Sequence, residues 1–229
     1  MNKKIIESDL QDQNSLQIAT FAAGCFWGVE EAFRQVKGVK STMVGYTGGW
    51  FENPTYKDVC THNTDHVEAV QIRFDPNEVT YEQLLDIFWS IHNPTTKNRQ
   101  GPDIGSQYRS MIAYHSPEQE LLAKKSKSDL ERSKLFNGNE IVTEIVPAST
   151  FYKAEDYHQK YYQKRGGGSC YYYPVQGVDI RGIGGIKASA ITTPTIISNS
   201  SGYANPPAIP SKTATITSIG HSTVLDCRC

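Results

Sequence analysis

The residues best placed to do chemistry centre on Cys25, within Gly24-Cys25-Phe26-Trp27-Gly28. The sulfur follows an apolar run, Ile18 to Ala23, and precedes a segment of helical spacing, Val29 to Val36, so it sits at a predicted helix N-terminus. Unpaired backbone N–H groups and the positive end of the helix dipole favour a thiolate there, and the thiolate is the nucleophilic form. The flanking glycines permit a tight turn and close approach of a ligand, and two large aromatics follow directly. Taken alone, the motif fits a buried packing cysteine as well as a reactive one. Glu68 opens a strand that is otherwise apolar on one face. If its carboxyl points into a pocket walled by Phe26 and Trp27, desolvation keeps it protonated near neutrality, a proton donor beside a thiolate. A solvated strand residue is the plainer alternative. Tyr56 and Tyr108 offer either neutral phenol donors or simple amphipathic packing. Asp103, in Gly101-Pro102-Asp103-Ile104-Gly105, fits a turn residue capping its own backbone as readily as a site group.

Other constellations are weaker. Cys60, His62 and His66 superficially match metal-ligand spacing, but no fourth ligand lies close in sequence. Cys227-Arg228-Cys229 is too tightly spaced for an ordinary helix-seated redox pair. Gly182-Ile183-Gly184-Gly185 lacks the strand-to-helix context of a phosphate cradle, and there is no Ser-His-Asp hydrolase signature. We therefore expect no metal and no cofactor.

The elements that must position these residues read as follows. Ile18 to Ala23 is a buried strand, Phe26 to Val36 a helix closed by Gly38, and Val39 to Tyr46 a second strand. Gly48-Gly49 opens a long loop carrying Trp50, Phe51, Pro54, Tyr56 and Cys60, and such aromatic loops are more often functional than idle. Glu68 to Phe74 is a half-buried strand, and Thr80 with Gln83 forms a capping box before the helix Tyr81 to Ile91. After the polar loop His92 to Ser106 come a strand, Gln107 to Tyr114, and a helix started by Ser116-Pro117 and running to about Phe136. Ile141 to Val146 reads as a strand and Ala154 to Lys164 as a short helix. This order predicts an α+β two-layer sandwich with a ferredoxin-like split βαβ centre.

The chain has 229 residues, 24 acidic and 23 basic, with a pI near 6.6. That balance gives no nucleic-acid or membrane surface, and the apolar runs are too short to span a bilayer. The N-terminus lacks the apolar run of a secretory signal, which predicts a cytoplasmic protein. Five cysteines at wide spacing then argue for catalytic or redox use rather than a disulfide framework. Residues 1–17 read as a loose arm and 18–170 as the catalytic domain. Residues 171–229, poor in charge and rich in Ser, Thr, Ile and Pro, read as a poorly ordered tail.

Many segments in order resemble the A-type peptide methionine sulfoxide reductases. Besides Gly24 to Gly28 they are Gly45-Tyr46-Thr47-Gly48-Gly49, Asn53-Pro54-Thr55-Tyr56, Val59-Cys60 and His66-Val67-Glu68-Ala69-Val70. Phe74-Asp75-Pro76, Phe88-Trp89, Asn93-Pro94, Arg99-Gln100-Gly101, Gln107-Tyr108-Arg109-Ser110 and Ala154-Glu155-Asp156-Tyr157-His158-Gln159 continue the match, which runs from about Ile18 to Cys170. The resemblance implies that Cys25 is the nucleophile and Glu68 the general acid. Tyr56 and Tyr108 would donate to the sulfoxide oxygen, and Asp103 would organise the polar network. Phe26 and Trp27 would form the slot for the substrate's S-methyl group. It further implies reduction of the S epimer, a Cys25 sulfenic acid, a Cys25–Cys170 disulfide and recycling by thioredoxin, with Cys60 structural. The substrate would be methionine sulfoxide in proteins, peptides or free, and the protein is expected to act as a monomer. The sequence departs from the family where Tyr171 to Ile180 intervenes before Gly182-Ile183-Gly184-Gly185-Ile186, leaving a relay role for Cys227 or Cys229 open. Two rival readings remain: a thiol peroxidase or redox sensor, for which Glu68 and the aromatic slot are superfluous, and a zinc-binding interaction module.

Overall fold

The computed structural model describes residues 16–166. The expected arm, residues 1–17, lies outside the described residues except for 16 and 17, the latter being the first residue of a strand. The expected tail, residues 171–229, lies wholly outside them, as do Cys170, Cys227 and Cys229.

The first half is a strand–helix–strand unit: β1 (Gln17–Ala23), α1 (Phe26–Arg34) and β2 (Val39–Thr47). A short helix α2 (Tyr56–Val59) leads to β3 (Val67–Phe74), α3 (Tyr81–Ser90) and a small ribbon, β4 (Arg99–Gln100) with β5 (Asp103–Ile104). A 3-10 turn, Ser106–Tyr108, precedes β6 (Ser110–Tyr114), α4 (Pro117–Ser133), β7 (Glu144–Pro147), β8 (Tyr152–Lys153) and α5 (Tyr161–Lys164). The main sheet is ordered β7-β6-β1-β3-β2-β8. Within it β1 lies antiparallel between β3 and β6, and β2 runs antiparallel to β3. These four strands with α1 and α3 are the predicted split βαβ centre. β7 adds in parallel beyond β6, and β8 adds to the β2 edge.

The alternation of β1 explains the layering. Ala19, Phe21 and Ala23 face α1, α3 and α4, while Ala22 faces the other side. Phe21 is fully buried and its ring lies 5.2 Å from Phe33 of α1 and 5.3 Å from Phe88 of α3. On the opposite face Ala22, Val67, Ala69, Met111 and Ala113 pack with Val146, Ala148 and Phe151. Those small side chains let the connection between β7 and β8 cross the sheet. Gly45 is required for the same reason, since a Cβ there would sit 2.3 Å from the Tyr152 carbonyl oxygen and 2.4 Å from the Phe151 ring.

Several elements differ from expectation. β3 is buried on both faces rather than half-buried, because the crossing connection covers the second face. Tyr108 belongs to a 3-10 turn closed by Arg109 N–H to the Ser106 carbonyl, not to the strand. α4 stops at Ser133 with Lys134 left-handed, before Asn137-Gly138. Residues 154–155 are irregular, 156–160 are turns, and only Tyr161–Lys164 are helical. The long loop contains α2, capped by a reciprocal Thr55–Asp58 box, and no described helix is long and apolar enough to cross a membrane.

His92 is fully buried. Its Nδ1 faces the Phe88 carbonyl at 2.7 Å and so must carry the proton, leaving Nε2 to accept from Ser110 Oγ at 2.7 Å. Burial pushes this imidazole down to about 4. The unfolded imidazole titrates near its ordinary value of about 6.5, so the unfolded state binds the extra proton first. Stability attributable to His92 is therefore complete above about 6.5 and is lost as pH falls toward about 4. Urea unfolding should show the wild type losing about 3 kcal/mol more than His92→Asn over that range; parallel curves would contradict it. Phe21→Ala should cost about 3–5 kcal/mol in the same assay, and a loss below about 1 kcal/mol would refute the stacked core.

Candidate active site

Cys25 is the N-cap residue of α1, at the turn where β1 ends. It is 8% exposed and is not disulfide-bonded. The turn depends on Gly24, whose φ is +94° and whose missing side chain is replaced by Gln100 of β4. The next residue, Phe26, donates its amide hydrogen to Oε2 of Glu68 at 3.1 Å. Glu68 is 1% exposed and lies opposite Tyr46 in the β2–β3 register, on the face that carries Val70, Ile72 and Phe74 toward the helices. The strand alternation thus aims a carboxyl at the first amide of the helix that Cys25 caps. The sulfur sits at the positive end of the helix dipole.

The aromatic side chains form two walls. The Phe26 ring lies 5.9 Å from Tyr46 and 5.1 Å from His158. Trp27 stacks flat on Tyr161, with centroids 3.6 Å apart and planes at 1°. Its indole N–H donates to His158 Nδ1 at 3.0 Å. An indole nitrogen only donates, so the His158 proton must reside on Nε2, which is buried without a hydrogen-bond partner among the described residues. Burial pushes His158 down, against the opposing pull of Glu155, whose Oε2 lies 3.9 Å away. The Tyr56 ring packs 4.8 Å from the same imidazole.

Glu155 ties these walls together. It accepts the Tyr46 hydroxyl at 3.0 Å and the Tyr56 amide at 2.9 Å. Burial pushes its carboxyl up, but the Tyr56 and Glu155 amides, the Tyr46 hydroxyl and His158 outweigh it and hold it below the usual range. Tyr46 is pushed well up by its own burial and by Glu155, which keeps it a neutral donor.

Of the other expected site residues, Tyr108 is 2% exposed, on a 3-10 turn packed against β3. Asp103 pairs with Gln100 in the ribbon that packs on Gly24, and burial pushes its carboxyl up. Cys60 is disulfide-bonded. His62 Nδ1 lies 2.7 Å from Gln107 Oε1, while His66 accepts from the Gly49 amide and bonds the Phe51 carbonyl. Cys60, His62 and His66 are thus spent on separate contacts, and the two histidines hold the aromatic loop to its neighbours.

Four contributors escaped the sequence reading: Tyr46, Glu155, His158 and Tyr161. Glu155 and His158 stand in the segment, Ala154 to Lys164, expected to be a short helix. Nothing in the sequence marked Tyr161 as the partner of Trp27.

The family model described as peptide methionine sulfoxide reductase matches residues 17–181. A peptide methionine sulfoxide reductase MsrA of Methanosarcina acetivorans is 65% identical over 151 residues, covering 66% of this chain and 80% of that protein. The protein of that name from Geobacter sulfurreducens is 58% identical over 159 residues, covering 69% of this chain and 98% of its own length. Among solved structures, reduced Mxr1 from Saccharomyces cerevisiae superposes with a TM-score of 0.64 at 36% identity, covering 69% of this chain and 90% of that one.

The packing around Cys25 is open to a direct test. A Cβ at residue 24 would lie 2.7 Å from two Gln100 carbons in a left-handed backbone. Gly24→Ala should therefore cost about 1–3 kcal/mol in urea unfolding, and an unshifted midpoint would contradict the contact between ribbon and turn.

Proposed function

The chain belongs to the peptide methionine sulfoxide reductase family and is a reductase of methionine sulfoxide, and on that premise we propose that it reduces the S epimer through sulfenic acid chemistry at Cys25. The observation that carries this reading is the Phe26 amide bond to Glu68, which brings a buried carboxyl to the helix end that holds the sulfur.

A sulfoxide sulfur becomes a competent electrophile when its oxygen gains a proton. Glu68, in its acid form, supplies that proton as the Cys25 thiolate attacks the sulfur. The phenols of Tyr56 and Tyr108 donate to the oxygen as charge develops, and Asp103 orders the polar rim on the ribbon side. Phe26 and Trp27 take the S-methyl group between them. Oxygen, methyl and thioether chain then occupy three chemically different places, so only one configuration at sulfur places the oxygen toward Glu68.

The step transfers oxygen. The S–O bond of the substrate is cleaved, methionine leaves, and Cys25 becomes the sulfenic acid, oxidised by two electrons. The Cys170 thiol attacks this sulfenic sulfur, water departs, and a Cys25–Cys170 disulfide forms. A thioredoxin-type dithiol protein reduces the disulfide by exchange and is itself oxidised. Neither a metal nor an organic cofactor enters these steps.

Reduction of each purified epimer by the wild type, Cys25→Ser and Glu68→Gln tests the reading. Wild type should act on the S epimer alone, and Cys25→Ser should be inactive. Glu68→Gln should lose about 10²- to 10⁴-fold in rate with KM little changed, since an amide matches the neutral acid in size but cannot give up the proton. Equal activity of wild type and Cys25→Ser would sink the mechanism, and a wild-type rate for Glu68→Gln would remove its acid role.

A further inference from the structure

Glu30 is a carboxyl that the reaction does not use, yet it is 1% exposed in the middle of α1. Burial pushes it up, against the bonds that favour its charge. Its Oε1 accepts the Thr42 hydroxyl of β2 at 2.9 Å, and its Oε2 accepts the backbone N–H of Lys160 at 2.6 Å. Lys160 is left-handed, with φ 51° and ψ 42°. A side chain other than glycine holds that conformation only where its surroundings fix it, and the Glu30 carboxyl is the acceptor on its amide.

The position of Lys160 explains why this matters. The next residue, Tyr161, is the ring stacked on Trp27, and two residues earlier His158 accepts the Trp27 indole hydrogen. The segment's other ties lie upstream: Gln159 bonds the Val44 amide and carbonyl of β2, and Glu155 bonds Tyr46 and Tyr56. Glu30 secures the end that those contacts leave, and it does so from the same helix whose first turn carries Phe26 and Trp27.

We infer that Glu30 is a positioning residue for sulfoxide reduction, holding Tyr161 and His158 against Trp27 so that the methyl slot is formed before substrate arrives. The inference rests on Trp27 being a wall of that slot. Substrate binding, rather than the reactivity of the sulfur, is what Glu30 controls. A glutamine can reproduce the geometry, its oxygen accepting from Lys160 and its amide donating to Thr42; an alanine cannot.

The test compares wild type, Glu30→Ala and Glu30→Gln in steady-state reduction of the S epimer, alongside the rate at which iodoacetamide alkylates Cys25, followed by mass spectrometry. Glu30→Ala should raise KM about tenfold while kcat falls less than about threefold. Glu30→Gln should restore KM to within about threefold of wild type. Alkylation of Cys25 should proceed at the wild-type rate in both variants, because the small reagent does not need the slot. An unchanged KM in Glu30→Ala would overturn the role of Glu30, as would a Glu30→Gln protein impaired as severely as the alanine variant. A fall in alkylation matching the loss of activity would also overturn it, marking a general collapse of the helix end. Wild-type protein inactive on both epimers would instead overturn the reading of the slot on which the inference depends.

Discussion

The amide of Phe26 and the carboxyl of Glu68 meet at 3.1 Å, where a helix end is pressed against the centre of a sheet. The first amide of a helix has no partner within it, and a carboxyl with 1% of its surface exposed must find donors inside the protein. Each group helps to meet the other's requirement, so α1 cannot slide along β3 without breaking this bond. Cys25 caps that helix and inherits the position. The three strands that converge here each contribute to the constraint: β1 delivers the turn, β3 the carboxyl and β2 the Tyr46 ring behind Phe26.

Stability and specificity draw on different contacts in this molecule. The helix-facing core around Phe21, Phe33, Leu84 and Phe88 is apolar and fully buried, and such burial is the main driving force for folding. The proposed substrate slot, by contrast, is set by polar contacts from residues 154–161. Glu155, His158 and Gln159 all reach away from their own segment, to Tyr46, Tyr56, Trp27 and Val44. Polar groups buried this way are costly when one partner is removed, which makes them poor at adding stability but good at admitting one arrangement of the walls.

Much of this was legible in the sequence. Cys25 stands at a change from a continuous apolar run to helical spacing, and the Thr80–Gln83 and Ser116–Pro117 starts declare their helices through local chemistry. Those signals suffice for the split βαβ centre. Residues 154–160 failed because Glu155, His158 and Gln159 repeat the spacing of a helix face while each is held by a distant partner, and Lys160 turns left-handed. β8 and the β4–β5 ribbon are strands of two residues each, too short to show a period. Tyr108 read as strand because the 3-10 turn directly before β6 is only three residues long, too short to show a period of its own. The pairing of Trp27 with Tyr161 and His158 spans more than a hundred residues of chain and leaves no local trace.

In the proposed mechanism the Cys25 sulfur takes the oxygen from the substrate. The direct measurement is a single turnover of reduced Cys170→Ser protein with the S epimer, in the presence of a 1,3-dione that labels sulfenic acids, followed by peptide mass spectrometry. Without the resolving thiol, one methionine should form per protein molecule and the label should lie on Cys25. Methionine released with the label on another cysteine, or with no labelled cysteine at all, would contradict it.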